Sequence, residues 1–165
     1  MPTFHETFPV KSKHGIYFEN VTDKVKDIIK KSKIMNGIVV VFSQHTSCSV
    51  LIQEDSEGAT YTGTSLILQD TVNCLEKIIP DCKYEGQYLH PGKYHTEQAF
   101  QLRGELNEWC LNTDGHIRSS LIGRSESIPI VEGEMTLGEF GLIYFADFDQ
   151  TRERDRTVRV QIVGE

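Results

Sequence analysis

The chain lacks the marks of several common protein classes. It has no basic excess: 17 Lys and Arg stand against 24 Asp and Glu, a formal net charge of −7. Duplex-binding surfaces usually carry such an excess, so nucleic acid is not the expected partner. No apolar run approaches the ~20 residues of a membrane span. The N-terminus has no apolar stretch of signal-peptide length either. A cytoplasmic protein with no membrane association is the expectation. None of the four cysteines, Cys48, Cys74, Cys82 and Cys110, forms a C-x-x-C pair. That weakens a zinc-ribbon reading and favours free thiols in a reducing compartment. A Walker phosphate loop, a dinucleotide glycine fingerprint and a G-x-S-x-G elbow are all missing, which removes the usual NTPase, dehydrogenase and hydrolase readings. There is no repeat, low-complexity stretch or linker, so residues 1–165 read as one domain.

What is present is an ordinary globular balance of 38% hydrophobic and 25% charged residues. The positive charge is local. Five lysines lie between Lys24 and Lys33, and four arginines between Arg152 and Arg159. The lysine run falls on an expected helix and reads as a solvated face. Thr3 to Val10 alternates as a strand, His14-Gly15 turns, and Ile16 to Phe18 is expected to return antiparallel. Val21, Val25, Ile28 and Ile29 repeat at helical spacing after the candidate caps Asn20 and Thr22. Gly37 is the expected helix stop. Ile38 to Phe42 reads as a strand buried on both faces. A second helix is expected over about 63–79 and a short one over about 97–109. Ser119 to Gly123 is a short helix or a turn. Strands follow at Ser127 to Val131, Met135 to Leu137, Gly141 to Phe148 and Thr157 to Val163. This order predicts an α+β fold, a mostly antiparallel sheet with helices on one face.

Three segments concentrate reactive side chains. Gln44-His45-Thr46-Ser47-Cys48-Ser49 follows the Ile38 strand. At a pocket its imidazole would bind metal or move protons. Otherwise it is a polar strand end whose hydroxyls bond to backbone. A buried thiol is the reading for Cys48. Glu54 and Asp55 either hold a metal, orient His45 or pair with a basic substrate group, or they end a strand in solvent. In the Asn112–Gly123 segment, His116 precedes Arg118, Ser119 and Ser120, donors suited to an anion such as phosphate. His90 and His95 flank Pro91-Gly92 at no standard zinc spacing. Histidines far apart in sequence still serve zinc when the fold gathers three or four ligands.

In order, these segments resemble the YjbQ-type family. The likeness rests on Gln44-His45-Thr46-Ser47-Cys48 with Ile52-Gln53-Glu54, on Tyr88-Leu89-His90, and on Gly115 to Gly123. It continues through Ser127-Ile128-Pro129-Ile130 with Gly133, Leu137-Gly138, and Asp149, Arg152 and Arg154. Gln53, Phe140-Gly141 and Gln150-Thr151 depart from the family pattern. A longer segment at about 91–112 reads as an insertion, and His95 competes with His90 for the family position. The resemblance implies a YjbQ-like α+β fold and a homotrimer. It implies that His45, His90 and His116 converge in one cleft around a divalent metal, zinc or magnesium. It implies a weak thiamine-phosphate synthase activity, which joins an aminopyrimidine diphosphate to a thiazole phosphate. On that reading His45, Glu54 and His116 are catalytic, and Thr46, Ser47, Arg118, Ser119 and Ser120 hold substrate. The alternative is a metal-binding or phosphorylated-metabolite-binding protein without turnover.

Overall fold

The alternation near the N-terminus does form a strand. In β1 (Thr3–Ser12) Phe4, Phe8 and Val10 turn inward at period two. The computed structural model describes residues 1–165. Gly15, at φ 88°, makes the turn that follows, and its N–H bonds Gln150 O at 3.2 Å. The next strand, β2 (Tyr17–Asn20), does not return along β1 as expected. It leaves for a second sheet.

Helix α1 (Thr22–Ser32) buries Thr22, Val25, Ile28 and Ile29 on one side. Asn20 Oδ1 accepts the Thr22 N–H at 3.0 Å, and Thr22 Oγ1 accepts the Ile143 N–H at 2.8 Å. The helix ends at Lys33, in the left-handed conformation at φ 59°, four residues before the expected Gly37. Gly37 serves a different need. A Cβ there would stand 2.3 Å from Val163 O, so glycine lets two strands approach closely.

Those strands are β3 (Gly37–Ser43) and β8 (Arg154–Gly164). Between them in sequence come β4 (Cys48–Glu54), α2 (Leu66–Ile78), α3 (Gly92–Arg103), a 3-10 turn at Asn107–Cys110, and α4 (Thr113–Ile122). Then follow β5 (Ser125–Val131), β6 (Glu134–Met135) and β7 (Gly141–Asp147). One sheet runs β1-β8-β3-β5-β6 and the other β2-β7-β4, with every pairing antiparallel. The fold class is α+β, with the sheet split in two.

The main core fills the space between the sheets and under α1. It includes Val25 and Ile29, Val39 and Val41, Val50, Ile143 and Phe145, and Val158, Val160 and Ile162. A second cluster lies on the outer face of the small sheet. Leu51, Tyr144, Ala146 and Phe148 pack there against Leu68 and Leu75 of α2. The strands buried on both faces are therefore β4 and β7, not β3. In β3 only Val39 and Val41 are fully buried among the apolar run, while Ile38 is 52% exposed. No helix is long and apolar enough to cross a membrane.

Helix α4 is held to the small sheet by polar contacts. Ser119 Oγ donates to Cys48 O at 2.6 Å. A Cβ at Gly115 would stand 2.8 Å from Phe148 O, so the helix start lies directly on the end of β7.

Candidate functional site

The corner between β3 and β4 carries the first reactive segment. Ladder bonding of β3 to β8 stops at Ser43 and Val158. The next donor on β8, the Thr157 N–H, is accepted by His45 Nε2 at 3.0 Å. In the neutral ring the proton then sits on Nδ1. His45 is half-buried, and burial, with Arg156 beside it, lowers its pKa below the ordinary imidazole value. Thr46 is exposed. Ser47 and Cys48 are buried. Burial, with Asp147 adding, pushes the Cys48 thiol far up, so it stays protonated and inert.

Ser47 belongs to an ionic network between the sheets. Arg156 donates to Asp147 through Nε at 2.6 Å and Nη2 at 3.0 Å, and through Nη2 to Ser47 Oγ at 3.1 Å. Ser12 Oγ donates to Asp147 Oδ2 at 2.7 Å. Asp149 continues the network. It accepts Arg154 Nη2 at 2.7 Å, Asn112 Nδ2 at 3.1 Å and Thr151 Oγ1 at 2.6 Å. Burial alone would raise the Asp149 pKa. The Thr151 hydrogen bond and the Arg154 charge outweigh it and hold the carboxyl below its usual range. Asp147 and Arg156 escaped the sequence reading. Their signal was there: Asp147 and Asp149, then Arg152, Arg154 and Arg156, recur at spacing two on either side of a turn.

Glu54 sits six residues beyond Cys48 on β4, about 20 Å along a strand. It is exposed, with its N–H on Gln53 Oε1. Strand geometry therefore carries it away from His45. Arg118 and Ser119 are fully buried. Arg118 donates to Ile79 O at 3.2 and 2.6 Å and to Asp81 at 2.9 Å, and it lies 3.4 Å from Asp114. The guanidinium thus pins the end of α2 to α4 rather than facing an outside anion. Ser120 is exposed but bonds back to His116 O at 3.0 Å.

The imidazoles that meet are His90, His95 and His116. The His90 ring centroid lies 4.9 Å from that of His95 and 5.6 Å from that of His116, both edge-to-face. Helix α3 supplies His95 and α4 supplies His116. Burial, then His116 and His95, lowers the His90 pKa. His90 Nδ1 lies 2.8 Å from Thr113 Oγ1, which in turn donates to His90 O at 2.8 Å. His45 makes its contact with Thr157 and lies outside this ring group. No three His, Cys, Asp or Glu side chains are grouped as a metal ion requires. The residues as placed do not form the expected ligand set. A cavity of about 680 Å³ lies elsewhere, between Lys13–Phe18 and α2, lined by none of these histidines.

The lowered pKa values of His45 and His90 have a definite sign. In the folded chain these rings stay neutral where the unfolded chain would protonate them. Their contribution to stability is complete above about pH 6.5 and is lost as pH falls through the folded values. The urea midpoint should therefore fall less between pH 7.5 and pH 5 in His90→Gln than in the unsubstituted chain. An identical fall in both would show that His90 is not held neutral by the fold.

Known proteins resemble this chain over nearly all of its length. Residues 6–165 match the family described as UPF0047 protein YjbQ-like. A UPF0047 protein of Methanothermobacter thermautotrophicus is 27% identical, over 99% of this chain and 94% of the relative. One from Synechocystis is also 27% identical, over 98% of this chain and 92% of the relative. The crystal structure of a YjbQ/UPF0047 family protein from Clostridium acetobutylicum superposes with a TM-score of 0.71 at 29% identity, covering 96% of this chain and 99% of that one. A hypothetical protein from Aeropyrum pernix gives a TM-score of 0.74 at 25% identity over the whole of both chains. With the family pattern matched from residue 6 to the C-terminus, the chain belongs to the YjbQ (UPF0047) family.

Proposed function

We propose that this chain is an enzyme of phosphorylated small molecules, with thiamine-phosphate synthase chemistry as its specific form. The observation that supports it most is the meeting of His90, His95 and His116 at α4. The reaction forms a bond between the methylene carbon of the aminopyrimidine and the thiazole nitrogen. The bond from that carbon to the diphosphate breaks, and pyrophosphate leaves. Charge gathers on the departing oxygen, where an imidazole N–H is well suited to neutralise it. His95 and His116 are the donors of this reading and His90 is the acceptor. Arg118 and Ser119 have no part in it, since both are fully buried and their hydrogen bonds run to Ile79 O, Asp81 and Cys48 O inside the fold. A divalent cation enters the reading only with the substrate's diphosphate. Four free thiols suit the reducing cytoplasm as its setting.

Expression in a strain deficient in thiamine-phosphate synthase tests the proposal. The chain should restore growth without thiamine, and His90→Ala and His116→Ala should each abolish the rescue. Rescue that survives both substitutions would remove the ring group from catalysis. Absence of rescue, with pyrophosphate raising the melting temperature by mass action, would support the alternative of a binding protein without turnover.

We also propose self-association as a homotrimer through the outward face of the five-stranded sheet. No helix covers Ile38, 52% exposed, or Val131, 51% exposed, and Val40 and Phe42 beside them are half-buried. Sedimentation should find a trimer that Ile38→Glu converts to monomer. A monomeric unsubstituted chain at micromolar concentration would contradict this.

A further inference from the structure

The hydrogen bonds around His90 determine which of its nitrogens carries the proton. Thr113 Oγ1 has a single hydrogen. It stands 2.8 Å from two groups, the His90 carbonyl oxygen and His90 Nδ1. A carbonyl oxygen can only accept, so the hydroxyl proton belongs to it. The hydroxyl then offers Nδ1 a lone pair, and Nδ1 must be the donor. In the opposite arrangement the hydroxyl would donate to Nδ1. That would leave two oxygens facing each other lone pair to lone pair at 2.8 Å, which is repulsive. The same threonine begins α4 and is buried, so its backbone is fixed by the helix and its side chain has little freedom. Asn112, just before it, is tied to Asp149 at 3.1 Å. His90 itself is followed by Pro91, which has no N–H to compete for the hydroxyl.

We infer that Thr113 is a positioning residue which locks His90 as the Nδ1–H tautomer and leaves Nε2 unprotonated, on a ring that stands beside those of His95 and His116. The ligand class follows from that atom. A bare imidazole nitrogen accepts a proton or hydrogen bond, so it takes a substrate N–H or O–H. It does not grip an anion. An exocyclic amine on a heteroaromatic ring is such a donor, whereas a phosphate oxygen without a proton is not. This assignment rests on the reading above that the ring group is the working site. It adds a residue, Thr113, that neither touches substrate in that reading nor carries reactive chemistry of its own.

Nitrogen-15 NMR of the histidine rings at pH 8 tests it without any substrate. His90, assigned by its loss in His90→Gln, should show a protonated Nδ1 and an unprotonated Nε2. Thr113→Val, which keeps the shape and removes the hydroxyl, should lose that signature and move the ring proton toward Nε2. Thr113→Ser should keep it. A protonated Nε2 in the unsubstituted chain would overturn the inference, as would a Thr113→Val spectrum unchanged at His90. If Thr113→Val does not fold, the unsubstituted and Thr113→Ser spectra decide alone. Failure of growth rescue together with the expected spectra would defeat the enzymatic proposal and leave the tautomer assignment standing.

Discussion

The buried pair of Asp147 and Arg156 holds this architecture together at one end. Asp147 is fully buried at the inner end of β7, in the small sheet, and Arg156 lies on β8, in the large one. Two charges taken out of water gain nothing unless they are well paired and their remaining hydrogen-bonding groups are used. Here Ser12 and Ser47 take up part of that capacity. The pair therefore joins four segments: β1, the β3–β4 corner, β7 and β8. Asp149 extends it to Asn112 and so to the start of α4. The segment that bears Thr113 and His116 is seated on this network rather than on an apolar stripe.

That arrangement explains which parts of the fold were legible. Helix α1 has an apolar face, Val25, Ile28 and Ile29, and its period betrays it. Helix α4 buries Thr113, Asp114, Gly115, Arg118 and Ser119, a polar and glycine-containing face, so periodicity hardly marks it. The same feature made Arg118 and Ser119 resemble anion donors. Their hydrogen bonds meet Ile79 O, Asp81 and Cys48 O instead, contacts 39, 37 and 71 residues away that no local pattern discloses. Likewise β1 and β2 are neighbours in sequence but sit in different sheets: the turn at Gly15 is bonded to Gln150, in the connection between β7 and β8, so β1 runs on along β8 and β2 along β7.

The candidate site divides along the same line. Resemblance to the family put His90 beside His116, and the rings do stand 5.6 Å apart. It also put His45 with them, but His45 closes the end of the β8 ladder, a role set by where β3 stops. His95 takes the third place because α3 begins just after His90 and brings its ring to 4.9 Å from that of His90. The chemistry of the group comes from proximity of rings and from one threonine hydroxyl. Neither is visible until the segments around residues 90 and 113 are brought together.

The pairing of Asp147 with Arg156 is the claim on which the positions of both histidine segments rest. A double-mutant cycle on stability tests it, using Asp147→Asn, Arg156→Gln and the two together. Each single change leaves a buried charge unmatched and should cost about 3–5 kcal/mol. The double variant should be less destabilised than the sum of the singles by about 1 kcal/mol or more. Additivity of the two single losses would contradict the account, since it would mean that the groups stabilise the fold independently.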